Sequence, residues 1–151
     1  MNQLEDVGFL GAVGLGWQTL DRPNPCFFNE FTDNRMIYRT RKGRGIGDRS
    51  ANYGDPQGVA PAGPLCLGTV VRGNDIRGAD KALTVGNQRC DKERLQGVWV
   101  WDTLFEKNQL RDCRVGAELS LRASGAIVRA NEMKQVDEAV VDGGENTTVV
   151  P

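Results

Sequence analysis

The β pattern of this chain is clearest in the stretch VGAELSLRASGAIV, residues 115–128. Apolar residues alternate from Val115 to Leu121, as expected of a strand that buries one face. Ser124 and Gly125 follow as a turn signal, and the apolar residues 126–128 come directly after it. This order predicts a β-hairpin, in which two antiparallel strands are joined by a tight turn.

Other β-type stretches lie on both sides of the predicted hairpin. Residues 65–72 (LCLGTVVR) and 97–101 (GVWVW) are rich in the β-branched and aromatic residues that favour strands. Residues 136–141 and 147–150 predict two more short strands, whereas 102–111 is interpreted as a short helix or a long loop. The pattern favours a mainly β fold, a small antiparallel β-barrel or β-sandwich, and we find no convincing internal repeat.

The first part of the chain differs in composition from the rest. Five of the six prolines fall within residues 1–64, among many glycines and arginines. We therefore predict an extended Gly/Pro/Arg-rich arm over residues 1–64 and a β-barrel or β-sandwich domain over residues 65–151. Phe27, Phe28 and Phe31 are clustered in the arm, where they are predicted to be apolar anchors for a partner.

Charge is balanced over the whole chain but unevenly placed. Nineteen basic and twenty acidic residues give a formal net charge of −1, which argues against a protein whose whole surface binds nucleic acid. Residues 35–49 are basic, whereas residues 132–145 are acidic. Such blocks are typical of solvated surface, and the alternative is head-to-tail pairing between neighbouring copies. The basic residues of the first block are Arg35, Arg39, Arg41, Lys42, Arg44 and Arg49.

The sequence offers little for catalysis or for a cofactor. The chain has no histidine, and its cysteines, at 26, 66, 90 and 113, form no Cys-x-x-Cys pair. A zinc site and a cysteine nucleophile with an imidazole partner are therefore not expected. The glycine-rich stretches at 11–16 and 43–47 lack the order of nucleotide-binding loops. We expect no enzyme activity, no cofactor and no metal, with the cysteines as buried free thiols in a protein made in a cytoplasm.

Trp99 and Trp101 lie two residues apart on one predicted strand, so their side chains point the same way. Such a pair usually packs in a core or at a protein interface. The alternative is stacking on bases or sugars. No apolar run approaches the roughly 20 residues that a membrane-spanning helix needs, so we expect no membrane partner.

Residues 115–128 also resemble a hairpin that recurs in small head proteins of tailed bacteriophages. In capsid decoration, or cement, proteins a Val-Gly-x-x-Leu-x-Leu…Gly-x-Ile/Val hairpin closes a β-barrel or β-sandwich. Residues 64–72 and 97–100 resemble the preceding strands of the same kind of domain. The similarity covers residues 65–141, and the arm has no counterpart in it.

The resemblance implies a virion structural protein on the outside of a capsid. Its partner would be the major capsid protein or another virion protein, and it would form a homo-oligomer, often a trimer, that staples neighbouring subunits together. Alternatives are another phage assembly component of the neck, tail or baseplate, and a carbohydrate- or nucleic-acid-binding β-module. The residues predicted to bind a partner are Phe27, Phe28, Phe31, Arg35, Arg39, Arg41, Lys42, Arg44, Trp99 and Trp101.

Overall fold

A computed structural model describes residues 3–5, 13–16, 26–49, 66–85, 100–120 and 123–151 of the chain. Within these ranges the protein is built from short β-strands, with no helix, so the predicted mainly β class is confirmed. Correspondingly, no described helix is long and apolar enough to cross a membrane.

The described strands are two to six residues long and follow one another at short intervals. In chain order they are β1 (Gln3–Glu5), β2 (Val13–Gly16), β3 (Cys26–Phe27), β4 (Glu30–Thr32), β5 (Arg35–Ile37), β6 (Arg44–Arg49), β7 (Cys66–Leu67), β8 (Val70–Arg72), β9 (Asp75–Arg77), β10 (Lys81–Val85), β11 (Val100–Trp101), β12 (Leu104–Glu106), β13 (Gln109–Arg111), β14 (Val115–Leu119), β15 (Ala123–Ser124), β16 (Ile127–Arg129), β17 (Glu132–Lys134), β18 (Glu138–Asp142) and β19 (Thr148–Val150).

These strands form four β-sheets, each made of parallel strands. Successive turns of the chain stack on one another to form a β-solenoid, and each sheet is one side of it. Sheet A has the order β1-β5-β9-β13-β17, sheet B β2-β6-β10-β14-β18, sheet C β3-β7-β11-β15 and sheet D β4-β8-β12-β16-β19. Each turn of the chain passes through sheets C, D, A and B. We call such a turn a rung: β3–β6, β7–β10, β11–β14 and β15–β18 are the first to fourth rungs. Beyond them, a single bridge from Ser124 to Glu145 extends sheet C, and β19 extends sheet D.

A five-residue period links most successive strands within a rung, although the step from Met36 to Arg44 in the first rung is longer than the equivalent step from Ile76 to Lys81. In the third rung Val100, Phe105, Leu110 and Val115 are spaced five residues apart, and each is at most 1% exposed. Strand register stacks the equivalent residues of successive rungs, so that Val71 lies next to Phe105 and Phe105 next to Val128. Residues from all four sheets thus meet in one apolar core. This repeat contradicts the expectation from sequence that no internal repeat exists.

The chain turns from one sheet to the next at residues with positive φ. In the second rung these are Gly68, Gly73 and Gly78, each two residues after a core residue. Glycine adopts this left-handed conformation without the steric cost of a Cβ. Other rungs place non-glycine residues there, including Phe28 at φ 54° and Ala130 at φ 51°.

The predicted antiparallel pairing is wrong for the strands that the structure describes. All fifteen strand pairs given by the register are parallel, and the sheets do not close into a barrel. Residues 115–128 form no hairpin, because β14 pairs with β10 and β18 while β16 pairs with β12 and β19. Gly125 turns the chain between sheets instead of reversing it within one. Residues 102–111, interpreted as a helix or loop, contain β12 and β13.

Described residues of the expected arm take part in the same stack. Residues 26–49 form the first rung, and β3, β4, β5 and β6 pair with β7, β8, β9 and β10 of the second. Ile46, in the Gly/Arg-rich stretch, is completely buried. The expected domain boundary at residues 64–65 lies outside the described residues.

Candidate protein-binding face

The outer surface of sheet C carries a column of large apolar side chains. Strand register places Phe27 beside Leu67, Leu67 beside Trp101, and Trp101 beside Ser124. Phe27 is 45% exposed and Trp101 40%. Because neighbouring strands are about 4.8 Å apart, the two aromatic residues lie about 10 Å apart along the stack.

Phe28 extends this column at the turn that follows β3. It is 71% exposed, and its ring is T-shaped against that of Phe27, with centroids 6.3 Å apart. The ring lies over Gly68, where an added Cβ would come within 2.7 Å of Phe28 Cδ1. We call Phe27, Phe28, Leu67 and Trp101 the aromatic face.

Phe28 is unusual because its position suits glycine. It has a φ of 54°, and the equivalent residues of the second and fourth rungs are Gly68 and Gly125. Holding a bulky side chain in the left-handed region costs about 1–2 kcal/mol. With its ring mostly in solvent, Phe28 recovers little of that cost by burial. Backbone strain combined with aromatic exposure is typical of a binding surface.

Sheet D, the next sheet along each rung, continues the apolar character. Val70, Leu104 and Ile127 form a half-buried aliphatic column on adjacent strands. Two residues further along the same strands is a charged column of Arg72, Glu106 and Arg129. The apolar surface therefore has a charged border, as protein-binding surfaces commonly do.

The charged border is organised around one carboxylate. Glu106 is 6% exposed and pairs with Arg72 at 2.6 Å and with Arg129 at 2.8 Å. The hydrogen bond from Arg129 and the positive charges of both arginines hold the pKa of Glu106 below its ordinary value. Glu106 thus stays ionised and keeps both guanidinium groups at the edge of the apolar surface.

The structure brings together only some of the residues predicted to bind a partner. Phe27, Phe28 and Trp101 share the aromatic face, while Phe31 occupies the core column of sheet D and packs against the core. Trp99 lies outside the described residues.

The basic residues lie elsewhere on the solenoid. Arg35 is on β5 of sheet A, Arg39, Arg41 and Lys42 are in the connection from β5 to β6, and Arg44 begins β6 of sheet B.

Arg41 contacts the acidic C-terminal part of its own chain. Its Nε donates to the backbone carbonyl of Asp112 at 2.7 Å, and its Nη2 lies 3.4 Å from a carboxylate oxygen of Asp137. Arg39 likewise lies 3.3 Å from Glu5. These two arginines therefore have acidic partners within one copy. The sequence alone did not decide whether the basic residues pair with acidic residues of the same copy or of a neighbouring copy.

Two cysteines are described with their surroundings, Cys66 and Cys113, and the thiols of both are buried. Burial raises the pKa of the Cys113 thiol, so it is not activated as a thiolate nucleophile. Within the described ranges no group of three or more His, Cys, Asp or Glu residues could hold a metal ion.

Sequence reasoning missed the aliphatic members of the surface. Leu67, Val70, Leu104 and Ile127 each flank a core residue directly, at 66, 71, 105 and 128. The five-residue period of the core residues would have predicted them, because residues next to a core position point outward on a strand. Comparisons with known proteins return no match: no family model, curated protein or solved structure is significantly similar to the chain.

Proposed function

We propose that this chain is a non-catalytic structural protein that binds other protein subunits through the aromatic face. The observation that carries the proposal is Phe28, an exposed aromatic residue held at positive φ, where the second and fourth rungs have Gly68 and Gly125 and the third has Asp102. Aromatic residues at the centre of an apolar patch supply most of the energy of typical protein interfaces.

A folded protein is the partner that this surface suits best. The aromatic face and the aliphatic column are formed by partly exposed side chains on adjacent strands of sheets C and D. Arg72 and Arg129 at its border would contact acidic or carbonyl groups at the rim of a partner. A small ligand, by contrast, is usually enclosed in a concave site.

The narrower form of the proposal is a virion structural protein that decorates a capsid and stabilises it, with the major capsid protein as partner. Its support is the sequence resemblance of residues 65–141, together with a surface suited to binding a shell of repeated subunits. The hairpin geometry of the resemblance gives it no support, since β14 and β16 belong to different sheets. Another virion assembly role, at the neck, tail or baseplate, would use the same face.

Co-assembly tests both levels of the proposal. The chain would be expressed with the shell protein encoded in the same genome, and particles would be separated on a density gradient. We expect the chain to co-sediment with particles, and the Phe28→Ser/Trp101→Ser double variant to remain at the top of the gradient. Both side chains are exposed, so the variant should keep its fold.

A matched control changes a different face. Arg111→Ala, on sheet A, should co-sediment like the parent chain. If the parent never co-sediments with particles, the capsid role is wrong. If the double variant co-sediments as well as the parent, the aromatic face is not the binding surface.

Titration with oligosaccharides and single-stranded oligonucleotides tests the alternative function and should give no heat of binding. Measurable binding that is lost in Trp101→Ser would favour a sugar- or nucleic-acid-binding module.

A further inference from the structure

The two arginines of the charged border share one carboxylate, and each contacts a different oxygen atom of it. Arg72 Nε lies 2.6 Å from Oε1 of Glu106. Nε and Nη2 of Arg129 both lie 2.8 Å from Oε2 of the same carboxylate. Because β12 lies between β8 and β16 in sheet D, Glu106 holds one arginine on each side.

The two guanidinium groups keep donors for a further acceptor. Each has five N–H donors, whereas one carboxylate oxygen has about two lone-pair sites to accept them. Among the described residues, neither Arg72 nor Arg129 pairs with a second carboxylate. The side chain of Glu106 is 8% exposed, and those of the arginines are 48% and 50% exposed. The carboxylate is therefore buried, while the two cations that it holds are half exposed.

A third cation, Lys107, lies at the same part of the border. It directly follows Glu106, at the turn from sheet D to sheet A, and it is exposed. The equivalent turn residues of the neighbouring rungs are Gly73 and Ala130, so no long side chain lies on either side of it. Asp33, the acidic residue at this turn in the first rung, lies beyond Gly73. Lys107 is thus accessible from both sides.

We call Arg72, Lys107 and Arg129 the cationic trio. Their three positive charges against the one negative charge of Glu106 leave a local charge of +2, although the whole chain has a formal net charge of −1. Arg72 and Arg129 are two strands apart, which is about 10 Å along the stack. Two acidic groups with a similar separation would each meet one arginine, with the ammonium group of Lys107 between them.

The neighbouring side chains favour carboxylates of a protein over phosphates of a nucleic acid. Val70, Leu104 and Ile127 lie two residues before Arg72, Glu106 and Arg129 on the same three strands. A protein surface offers apolar and acidic side chains side by side. A nucleic acid that bound the trio through its phosphates would leave the aliphatic column exposed.

We propose that Glu106 is a positioning residue, which fixes Arg72 and Arg129 so that the cationic trio binds acidic side chains of the partner protein. The partner therefore has an apolar patch bordered by aspartate or glutamate residues. Guanidinium groups that are fixed before binding lose less conformational entropy when the complex forms. This inference rests on the proposed function, because it assigns the chemistry of the protein that binds the aromatic face.

Poly-L-glutamate is a carboxylate probe that tests the trio without the partner. The isotope-labelled full chain would be titrated with it and followed by NMR. We expect the Nε signals of Arg72 and Arg129 and the amide signal of Lys107 to shift, and the affinity to fall about tenfold between about 20 and 200 mM NaCl. Shifts confined to residues 39–44 would overturn the proposal. Stronger shifts of the same signals with a single-stranded oligonucleotide would make phosphate the ligand and overturn the choice of a protein partner.

Glu106→Gln separates positioning from net charge. The change removes one negative charge, so a surface that attracts carboxylates by charge alone would bind poly-L-glutamate more tightly. Positioning predicts the opposite, a loss of affinity of about threefold or more. Glu138→Gln, exposed on sheet B, removes the same charge elsewhere and should bind like the parent chain. Backbone amide spectra would verify that both variants fold, and tighter binding by Glu106→Gln would overturn the positioning role.

The shell particles of the co-assembly experiment provide the second measurement. Arg72→Gln/Arg129→Gln should bind the particles about tenfold more weakly than the parent chain at low salt, with a shallower dependence on salt concentration. Arg111→Gln/Lys134→Gln is the matched control, because it removes two positive charges from sheet A. The control should bind like the parent chain.

The same assay distinguishes failure of this inference from failure of the proposed function. If Phe28→Ser/Trp101→Ser loses binding while the Arg72→Gln/Arg129→Gln variant binds with the affinity and salt dependence of the parent, the aromatic face stands and the acidic partner is wrong. If only the arginine variant loses binding, the cationic trio is supported and the role of the aromatic face is wrong.

Discussion

Asn108 lies directly beside Asn74 in the next rung, and its Oδ1 accepts both the backbone N–H and the side-chain N–H of Asn74, each at 3.0 Å. Asn108 Nδ2 in turn donates to the carbonyl of Val71 and to the Oδ1 of Asn131. Both Asn74 and Asn108 are completely buried. The amide side chain thus satisfies backbone groups at the turn from sheet D to sheet A, which two neighbouring strands alone would leave unpaired.

Replacing Asn108 with alanine should lower the free energy of unfolding by about 3 kcal/mol, because several buried donors and acceptors lose their partner at once. Urea denaturation followed by circular dichroism measures the change. Asn131→Ala is the comparison. Asn131 accepts the corresponding two N–H groups of Asn108 at the last step of this asparagine ladder, but it is half-buried, so water can replace part of the lost bonding and about 1 kcal/mol is expected. Equal losses for the two variants would show that the ladder does not act through burial of its central members.

Glu106 predicts a pH dependence of stability. The arginines lower its pKa in the folded state, so the unfolded chain binds more protons once the pH approaches the ordinary pKa of about 4.3. The stabilisation is present above that pH and is lost as the pH falls through the folded-state pKa. Glu106→Gln should therefore be less stable than the parent at neutral pH, and the difference should shrink below about pH 4. Urea denaturation at a series of pH values measures this difference. A gap that stays constant down to about pH 3 would mean that the charge of Glu106 does not contribute.

Lys81 and Glu118 form a buried ion pair in sheet B. The Nζ of Lys81 lies 2.5 Å from one carboxylate oxygen, and the two side chains are 9% and 8% exposed. Removing one partner leaves the other charge buried and unpaired, so Lys81→Met should lower the free energy of unfolding by about 3–5 kcal/mol. The double variant Lys81→Met/Glu118→Leu removes both charges and should regain most of that loss. Chemical denaturation of the three proteins tests the coupling, and strictly additive losses would show that the two charges do not depend on each other.

The mainly β class was predictable from sequence, but the parallel architecture was not. Alternation from Val115 to Leu119 marks a strand whichever way its neighbours run, and Gly125 marks a turn without stating how sharply the chain reverses. Partners in this fold are far apart in sequence: Asn34 bonds to Asn74, 40 residues away, and Asn74 to Asn108, 34 residues away. Local patterns carry no information about such pairing.

A five-residue signal was nevertheless present in the sequence. Gly68, Gly73 and Gly78 are spaced by five, and each follows a core residue, Cys66, Val71 or Ile76, by two positions. The period is partly hidden, because other rungs place Asp, Lys, Gln or Ala at the turn. Because the period is partly hidden, residues 65–72 were predicted as one strand, whereas the chain turns between β7 and β8 within this stretch.

The candidate site was predictable in part. Phe27 and Phe28 stand out in sequence as members of an aromatic cluster, and Trp101 as an aromatic residue of a predicted strand. The structure places all three on one face. Their role in binding stays a prediction. Arg35 and Arg41 were predicted to bind the same partner because they belong to a basic block that would suit an acidic capsid surface. The solenoid turns two corners between Phe27 and Arg35, which puts the two residues on different sheets.

The turn residues give a last prediction, in which two opposite substitutions have opposite effects. Gly78 has a φ of 68°, and a Cβ there would collide with the backbone carbonyl of Tyr38. Gly78→Ala should therefore lower the free energy of unfolding by more than about 2 kcal/mol, from left-handed strain and from the clash. Ala130, at the turn from sheet D to sheet A in the fourth rung, has the same left-handed conformation, with a φ of 51°, and is exposed. Ala130→Gly should raise the free energy of unfolding by up to about 1 kcal/mol, since relief of strain outweighs the added chain entropy of glycine. Thermal and urea unfolding of both variants measure the two signs. If Ala130→Gly destabilises the protein, the added entropy of the unfolded chain outweighs the strain of the left-handed conformation at this turn.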